Sequence, residues 1–135
     1  MEIEIIDNSE KVKEEFEAAC LRALERCGMQ AEGYAKDLCP VDTGNLRNSI
    51  THKVNDAELA AYVGVPHGPT SYGIYVELGT GTYYPGGTKT PWNYQDAKGK
   101  WHRTSGHEAQ PFIKPAVADH VQTYRNIIED ELKGT

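Results

Sequence analysis

A long amphipathic pattern near the start of the chain constrains its fold more than any other feature. Between Ser9 and Cys39, apolar residues recur at steps of three and four, with Glu, Lys and Arg between them. These apolar positions are Val12, Phe16, Ala19, Cys20, Ala23, Leu24, Cys27, Ala31, Tyr34, Ala35 and Leu38. The spacing predicts one long helix, which Asn8 or Ser9 caps. Pro40 ends it, because the residue before a proline is pushed out of the helical region.

Two local features modify this prediction. Gly28 and Gly33 each cost ~1 kcal/mol relative to alanine inside a helix, so we expect a kink or a break near them. In front of the helix, residues 1–6 (MEIEII) alternate charged residues with isoleucine, which predicts a short strand.

The remaining patterns complete one α+β domain. Residues 49–54 and 59–65 predict two strands of a hairpin, whereas residues 72–78 fit either a strand or a helical turn. A second amphipathic pattern predicts a C-terminal helix with Pro115 in its first turn. Its apolar residues are Val117, Val121, Tyr124, Ile127, Ile128 and Leu132. We expect a single domain over residues 1–135, with the long N-terminal helix and the C-terminal helix packed on one antiparallel sheet.

A projecting β-hairpin insertion is predicted between residues 82 and 106. Two aromatic arms, 91–94 and 100–104, flank the turn sequence Asp96–Gly99. The insertion holds five of the twelve aromatic residues and four bases against one acid, a combination enriched at protein interfaces. The residues are Tyr83, Tyr84, Trp92, Tyr94 and Trp101, with Lys89, Lys98, Lys100 and Arg103 against Asp96. The alternative is that Trp92 and Trp101 only stack on each other across the hairpin.

Composition and spacing argue against several classes of function. A net charge of -6 is unfavourable for general nucleic-acid binding, which depends on neutralising phosphates. The three cysteines form no CxxC pair, so we expect reduced structural thiols, although a nucleophilic Cys39 stays formally open. No apolar run approaches the ~20 residues of a membrane span, and the acidic start is unlike a signal peptide, so we expect an intracellular protein.

No catalytic, cofactor or metal site is predicted. The glycines of Glu77–Gly81 resemble a phosphate loop, but the Lys and Ser or Thr that such a loop needs are missing. Glu77 has no second carboxylate or histidine at a defined spacing, as general acid–base chemistry would require. His102 and His107 have no third ligand of suitable type for a metal.

Three motifs carry local structure. In the turn after the first helix, Gly44 suits a positive φ, and Arg47 either belongs to a capped turn or faces a partner. The residues with a predicted structural role are Asp42, Thr43, Gly44, Leu46, Gly79, Thr80, Pro111, Phe112 and Pro115. Of these, Phe112 is expected to anchor the core while the two prolines rigidify the entry to the last helix.

The motifs also carry a family resemblance. CPVDTGNLRNSI (39–50), YGIYVELGTG (72–81) and AQPFIKPAV (109–117) occur in this order. Together they resemble the phage head–tail joining or tail-completion proteins whose type member is gene product ten of HK97-like siphophages. The first motif matches the family pattern TGxLRxSI without a departure. The resemblance covers residues 35–117 in motifs and nearly the whole chain in layout.

The resemblance implies a structural protein with no enzymatic activity and no cofactor. It implies a homo-oligomeric ring, expected to be a hexamer, at the portal–tail junction, which DNA only passes through. The other partners would be head-completion or adaptor proteins and tail-tube or terminator proteins, with no membrane contact. The protein would lie in the host bacterial cytoplasm during assembly and then in the virion. The interface candidates are Arg47, Tyr75, Glu77, Tyr84, Trp92, Tyr94, Trp101 and Arg103.

Two other functions stay open from the sequence. One is a small nucleic-acid-binding protein or nuclease that acts through the basic aromatic hairpin, with bases stacked on Trp92 and Trp101. The other is a prophage-encoded regulator that binds a host protein.

Overall fold

The computed structural model has an α+β fold, as the sequence predicts, and describes residues 2–40, 45–66, 73–83, 87, 89–96 and 98–133. Five helices and four strands are present in these ranges, with a 3₁₀ turn at Gly81–Tyr83. The helices are α1 (Ser9–Leu38), α2 (Asn45–Ser49), α3 (Gly73–Leu78), α4 (Ile113–Ala118) and α5 (Val121–Leu132). The strands are β1 (Thr51–Asn55), β2 (Ala60–Gly64), β3 (Trp92–Gln95) and β4 (Trp101–Thr104).

Helix α1 is continuous over 30 residues and ends before Pro40, which confirms the predicted helix. Of the expected kink or break, the break is wrong, since the helix runs through Gly28 and Gly33 without interruption. Gly28 is buried, and a Cβ at this position would lie 2.6 Å from Cδ2 of His52 on β1, so the glycine allows close packing of the sheet. The expected capping by Asn8 or Ser9 is also wrong, since Asp7 Oδ1 accepts the hydrogen bond from the Ser9 amide at 2.9 Å.

The strands form two separate antiparallel pairs. In the first, His52 on β1 lies opposite Val63 on β2, and this pair packs on α1. The second pair is β3 with β4, which confirms the predicted hairpin.

Three local predictions need correction or a decision. Residues 2–8 form no strand and are exposed, because no second strand in the described chain pairs with them. Ser49 ends helix α2 instead of starting β1, and its hydroxyl donates to the Leu46 carbonyl at 2.6 Å. Residues 73–78 form a helix, which decides the alternative left open by the sequence.

The predicted C-terminal helix is divided into α4 and α5. The helices are separated at Asp119 and His120, and α5 then runs along α1. The ring of His120 stacks on Tyr34 of α1 with centroids 3.5 Å apart. Farther along, Arg26 pairs with Asp130 at 2.8 Å. Helix α1 is therefore the central element, with the β1–β2 pair and α5 both packed against it.

The main hydrophobic cluster lies at the C-terminal end of α1. Phe112, the expected apolar anchor, is completely buried. It belongs to one cluster with Ala35, Cys39, Leu46, Ile50 and Ala116. Cys27 and Cys39 are buried free thiols and Cys20 is half-buried. Burial raises the pKa of the Cys27 and Cys39 thiols, which disfavours the nucleophilic thiolate.

Candidate functional site

The base of the insertion is a main-chain junction between residues 79–82 and 105–107. The Thr80 amide donates to the His107 carbonyl, and the Thr82 amide donates to the Ser105 carbonyl, both at 2.9 Å. The Thr80 hydroxyl accepts from the His107 amide at 2.9 Å. Because most of these groups belong to the backbone, the two arms of the insertion are held together mainly by main-chain hydrogen bonds.

Glycines make this junction possible. Gly81 has a φ of 62°, and a Cβ there would collide with the Ser105 carbonyl. Gly106 has a φ of 113°, and a Cβ there would collide with the Thr80 carbonyl. The glycines of the Glu77–Gly81 motif thus serve close approach of two backbones, and the neighbouring amides bond to protein carbonyls instead of a phosphate.

Glu77 connects the same segment to the core. Its Oε2 accepts hydrogen bonds from the amides of Phe112 (2.7 Å) and Ile113 (3.0 Å), and its Oε1 accepts from the amide of Lys114 (2.9 Å). These are orphan donors at the start of α4, where a negative charge also interacts favourably with the helix dipole. Glu77 is therefore a helix cap supplied from a distant part of the chain.

The two tryptophans of the hairpin do not face each other, so the predicted cross-strand stack is wrong. Trp92 lies opposite Thr104, and Trp101 lies opposite Gln95. Since side chains alternate between the faces of a strand pair, Trp92 and Trp101 lie on opposite faces. The ring contact across the hairpin joins Tyr94 to His102, with centroids 5.2 Å apart.

The carboxylate of Asp96 is hydrogen-bonded within the turn of the hairpin. Asp96 Oδ1 accepts from the amides of Lys98 and Lys100 at 2.9 Å, and Oδ2 lies 2.8 Å from Nε2 of His102. The hydrogen bond with His102 is the main reason that the pKa of Asp96 lies below its ordinary value. The remaining side chains give the hairpin a basic, aromatic surface on which Trp101 is 67% exposed.

The predicted interface residues occupy three parts of the fold. Arg47 is exposed on α2, and Tyr75 is exposed on α3. Tyr75 lines a cavity of about 210 Å³ with Pro40 and His107. Four candidates lie together on the hairpin, namely Trp92, Tyr94, Trp101 and Arg103. Tyr84 and the turn residues Asp42, Thr43 and Gly44 lie outside the described residues.

A further polar cluster escaped the sequence analysis. His52 lies between two carboxylates of α1, with Nε2 2.6 Å from Glu25 and Nδ1 3.2 Å from Glu32. The hydrogen bond with Glu25 is the main reason that the pKa of His52 is raised, and burial opposes it. The only local signal was that Glu25 and Glu32 lie seven residues apart, and therefore on one face of the helix.

Neither a metal site nor a membrane span is found in the described parts of the chain. No group of His, Cys, Asp and Glu side chains there could hold an ion, and His102 is bonded to Asp96 instead. No helix among the described ranges is long and apolar enough to cross a bilayer.

A family model described as "Bacteriophage HK97-gp10, putative tail-component" matches residues 3–79, which is more than half of the chain. The chain belongs to this family. The family resemblance seen in the motifs is thus confirmed, and it associates the protein with phage tails, with the virion and with other phage structural proteins. The match ends at Gly79, so the HK97-gp10 region contains α1 to α3, and the hairpin lies beyond it. Searches of curated proteins and of solved structures gave no match.

Proposed function

We propose that this protein is a structural head–tail joining or tail-completion component that forms a ring, expected to be a hexamer, at the portal–tail junction. The observation that carries the proposal is membership of the HK97-gp10 family. In this role the chain catalyses no reaction, assembles in the host cytoplasm and joins head-completion or adaptor proteins to tail-tube or terminator proteins. DNA passes through the ring without being recognised, which suits a chain of net charge -6.

The hairpin is the recognition element in this proposal. Its anchors are exposed: Trp101 is 67%, Tyr94 42% and Trp92 36% accessible. Exposed aromatic residues next to arginine are the residue types that most often dominate binding energy at interfaces. The hydrogen bond between Thr82 and Ser105 joins the two arms at the base of this surface.

Replacement of the hairpin tests the proposal. A short Gly-Ser linker in place of residues 84–104 keeps Thr82 and Ser105, so the junction can still close. We expect circular dichroism to show a folded domain, and complementation of a phage that lacks this gene to yield few joined virions. Normal joining would show that recognition lies elsewhere, most directly around Arg47, and loss of folding would show that the hairpin belongs to the core.

Nucleic-acid binding through the hairpin is the second candidate. Trp101 and Arg103 lie on one face of the hairpin, since they are two residues apart on β4. Single-stranded DNA binds to aromatic side chains by base stacking and to cations through its phosphates, and Trp101 and Arg103 would supply these two contacts. A gel shift with single-stranded and duplex DNA at two salt concentrations distinguishes the candidates. Salt-dependent binding that Trp101→Ala abolishes would favour this function over the structural one.

A further inference from the structure

A groove lies between α1 and the turn that joins β1 to β2. It has a volume of about 400 Å³ and is lined by Glu17 and Leu21 of α1 and by Asp56, Ala57 and Leu59 of the turn. Its walls thus combine two carboxylates with two leucines. Leu59 is 47% exposed, although large aliphatic side chains are usually buried.

The backbone at Leu59 is also unusual. Its φ is 51°, and it is the one non-glycine residue in the described ranges with a positive φ. A bulky residue in this region is strained, and such strain occurs preferentially at sites that bind ligands or partners. Leu59 in this conformation lines the groove with a partly exposed apolar side chain.

The acidic character of the groove continues along α1. Glu10, Glu14 and Glu17 follow one another at steps of four and three, so they share the face of the helix that carries Leu21. All three glutamates are exposed, and no described ion pair involves them. Lys13 lies at helical spacing from Glu10 and Glu17, and it forms no described ion pair with either of them.

The hairpin has the opposite chemistry. Trp101 and Arg103 share one face of β4, and Lys100 directly precedes the strand. Within the described ranges, no ion pair involves Lys100 or Arg103, and no hydrogen bond or ring contact joins β3 or β4 to α1. One molecule therefore offers both an acidic apolar groove and a basic aromatic projection.

We propose that this groove receives the β3–β4 hairpin of a second copy of the chain. Trp101 enters between Leu21 and Leu59, while Lys100 and Arg103 pair with Glu14, Glu17 and Asp56. The two surfaces are different patches of the same molecule, so the contact is heterologous, and repetition of such a contact generates a ring when the rotation closes. The inference rests on the proposed function, because it identifies the subunit contact of the proposed ring.

Charge reversal and charge exchange test the contact in the full chain. The hairpin variant is Lys100→Glu with Arg103→Glu, the groove variant is Glu14→Lys with Glu17→Lys, and the exchanged chain carries all four. Sedimentation velocity at up to about 1 mM protein and low salt measures self-association. We expect the wild type to associate with increasing concentration, and each two-residue variant to associate at least about tenfold more weakly.

The exchanged chain should regain association, because its reversed charges again attract each other. The matched control combines the groove variant with Lys53→Glu and Arg125→Glu, which are exposed residues on other faces. It has the same net charge as the exchanged chain and should stay as weakly associated as the groove variant alone.

A wild type that remains monomeric at about 1 mM overturns the inference, as does an exchanged chain that associates no better than the control. Circular dichroism melting of each variant verifies that its fold is intact. The complementation experiment on the hairpin tests the head–tail role separately, so that role can hold even if this subunit contact does not.

Discussion

Oε2 of Glu77 lies 2.7 Å from the backbone nitrogen of Phe112, 35 positions later in the chain. The same carboxylate accepts hydrogen bonds from the next two amides, so one side chain satisfies three donors at the start of α4. Among the described residues Phe112 is the largest completely buried side chain, and its backbone is held by the segment that precedes the insertion.

Glu77→Ala should lower the free energy of unfolding by about 2 to 4 kcal/mol, because it leaves three amides of a partly buried helix start without their acceptor. Glu77→Gln keeps one carbonyl oxygen as acceptor and should cost less. Chemical denaturation measures both variants. Glu108→Ala removes an exposed carboxylate and should change stability by less than about 0.5 kcal/mol. Equal effects of Glu77→Ala and Glu108→Ala would contradict the capping role.

The two glycines of α1 should respond oppositely to alanine. Gly33→Ala meets no atom within 4 Å and should stabilise the protein by about 0.5 to 1 kcal/mol through helix propensity. Gly28→Ala places a methyl group 2.6 Å from the His52 ring and should lower the free energy of unfolding by about 1 to 3 kcal/mol. Thermal melting of the pair gives the comparison. If both substitutions raised the melting temperature, the sheet would not be packed on Gly28 as described.

The junction of the insertion should depend on Gly81. Gly81→Ala combines a positive φ with a collision against the Ser105 carbonyl. We expect it to lower the free energy of unfolding by about 3 kcal/mol or more. Gly99→Ala also has a positive φ, but the nearest atom would be Gln95 Nε2 at 3.5 Å, so it should cost only about 1 kcal/mol. Hydrogen exchange at the Thr82 amide should accelerate in the first variant alone. Unchanged protection of that amide would count against the junction.

The cluster around His52 should make stability depend on pH. The pKa of His52 is raised above 6.5 in the folded state, chiefly by its hydrogen bond with Glu25. The stabilising contribution is therefore fully present below pH 6.5 and is lost as the pH rises through the folded pKa. Denaturation between pH 6 and pH 9 should show the wild type losing stability relative to His52→Gln, by no more than about 1.4 kcal/mol per pH unit. A constant difference between the two proteins over this range would refute the prediction.

The sequence patterns predicted correctly those elements that are determined by residues close together in the chain. Helix α1 follows from a period sustained over 30 residues, and the β3–β4 hairpin follows from a turn sequence between aromatic arms. Residues 2–6 failed as a strand because alternation alone cannot replace a pairing partner. The division between α4 and α5 was missed because the apolar spacing continues across it.

The candidate site was only partly visible in the sequence. Its aromatic and basic residues could be counted, but their distribution over two faces depends on the register of the strand pair. The role of Glu77 could not be found locally, since its partner Phe112 is remote in sequence and the cap exists only after folding. The same holds for His52, whose nearest carboxylate is 27 positions away.

The backbone junction at Thr82 and Ser105 lies between the hairpin and the rest of the protein. It is formed by main-chain atoms, and strands β3 and β4 contribute none of the buried hydrophobic residues among the described positions. If the hairpin has the proposed recognition role, substitutions of its exposed side chains, such as Trp101 and Arg103, would alter what the protein binds at little cost to its melting temperature. Such a hairpin can adapt to a new partner, or be exchanged between related chains, while the body that supports it keeps its sequence.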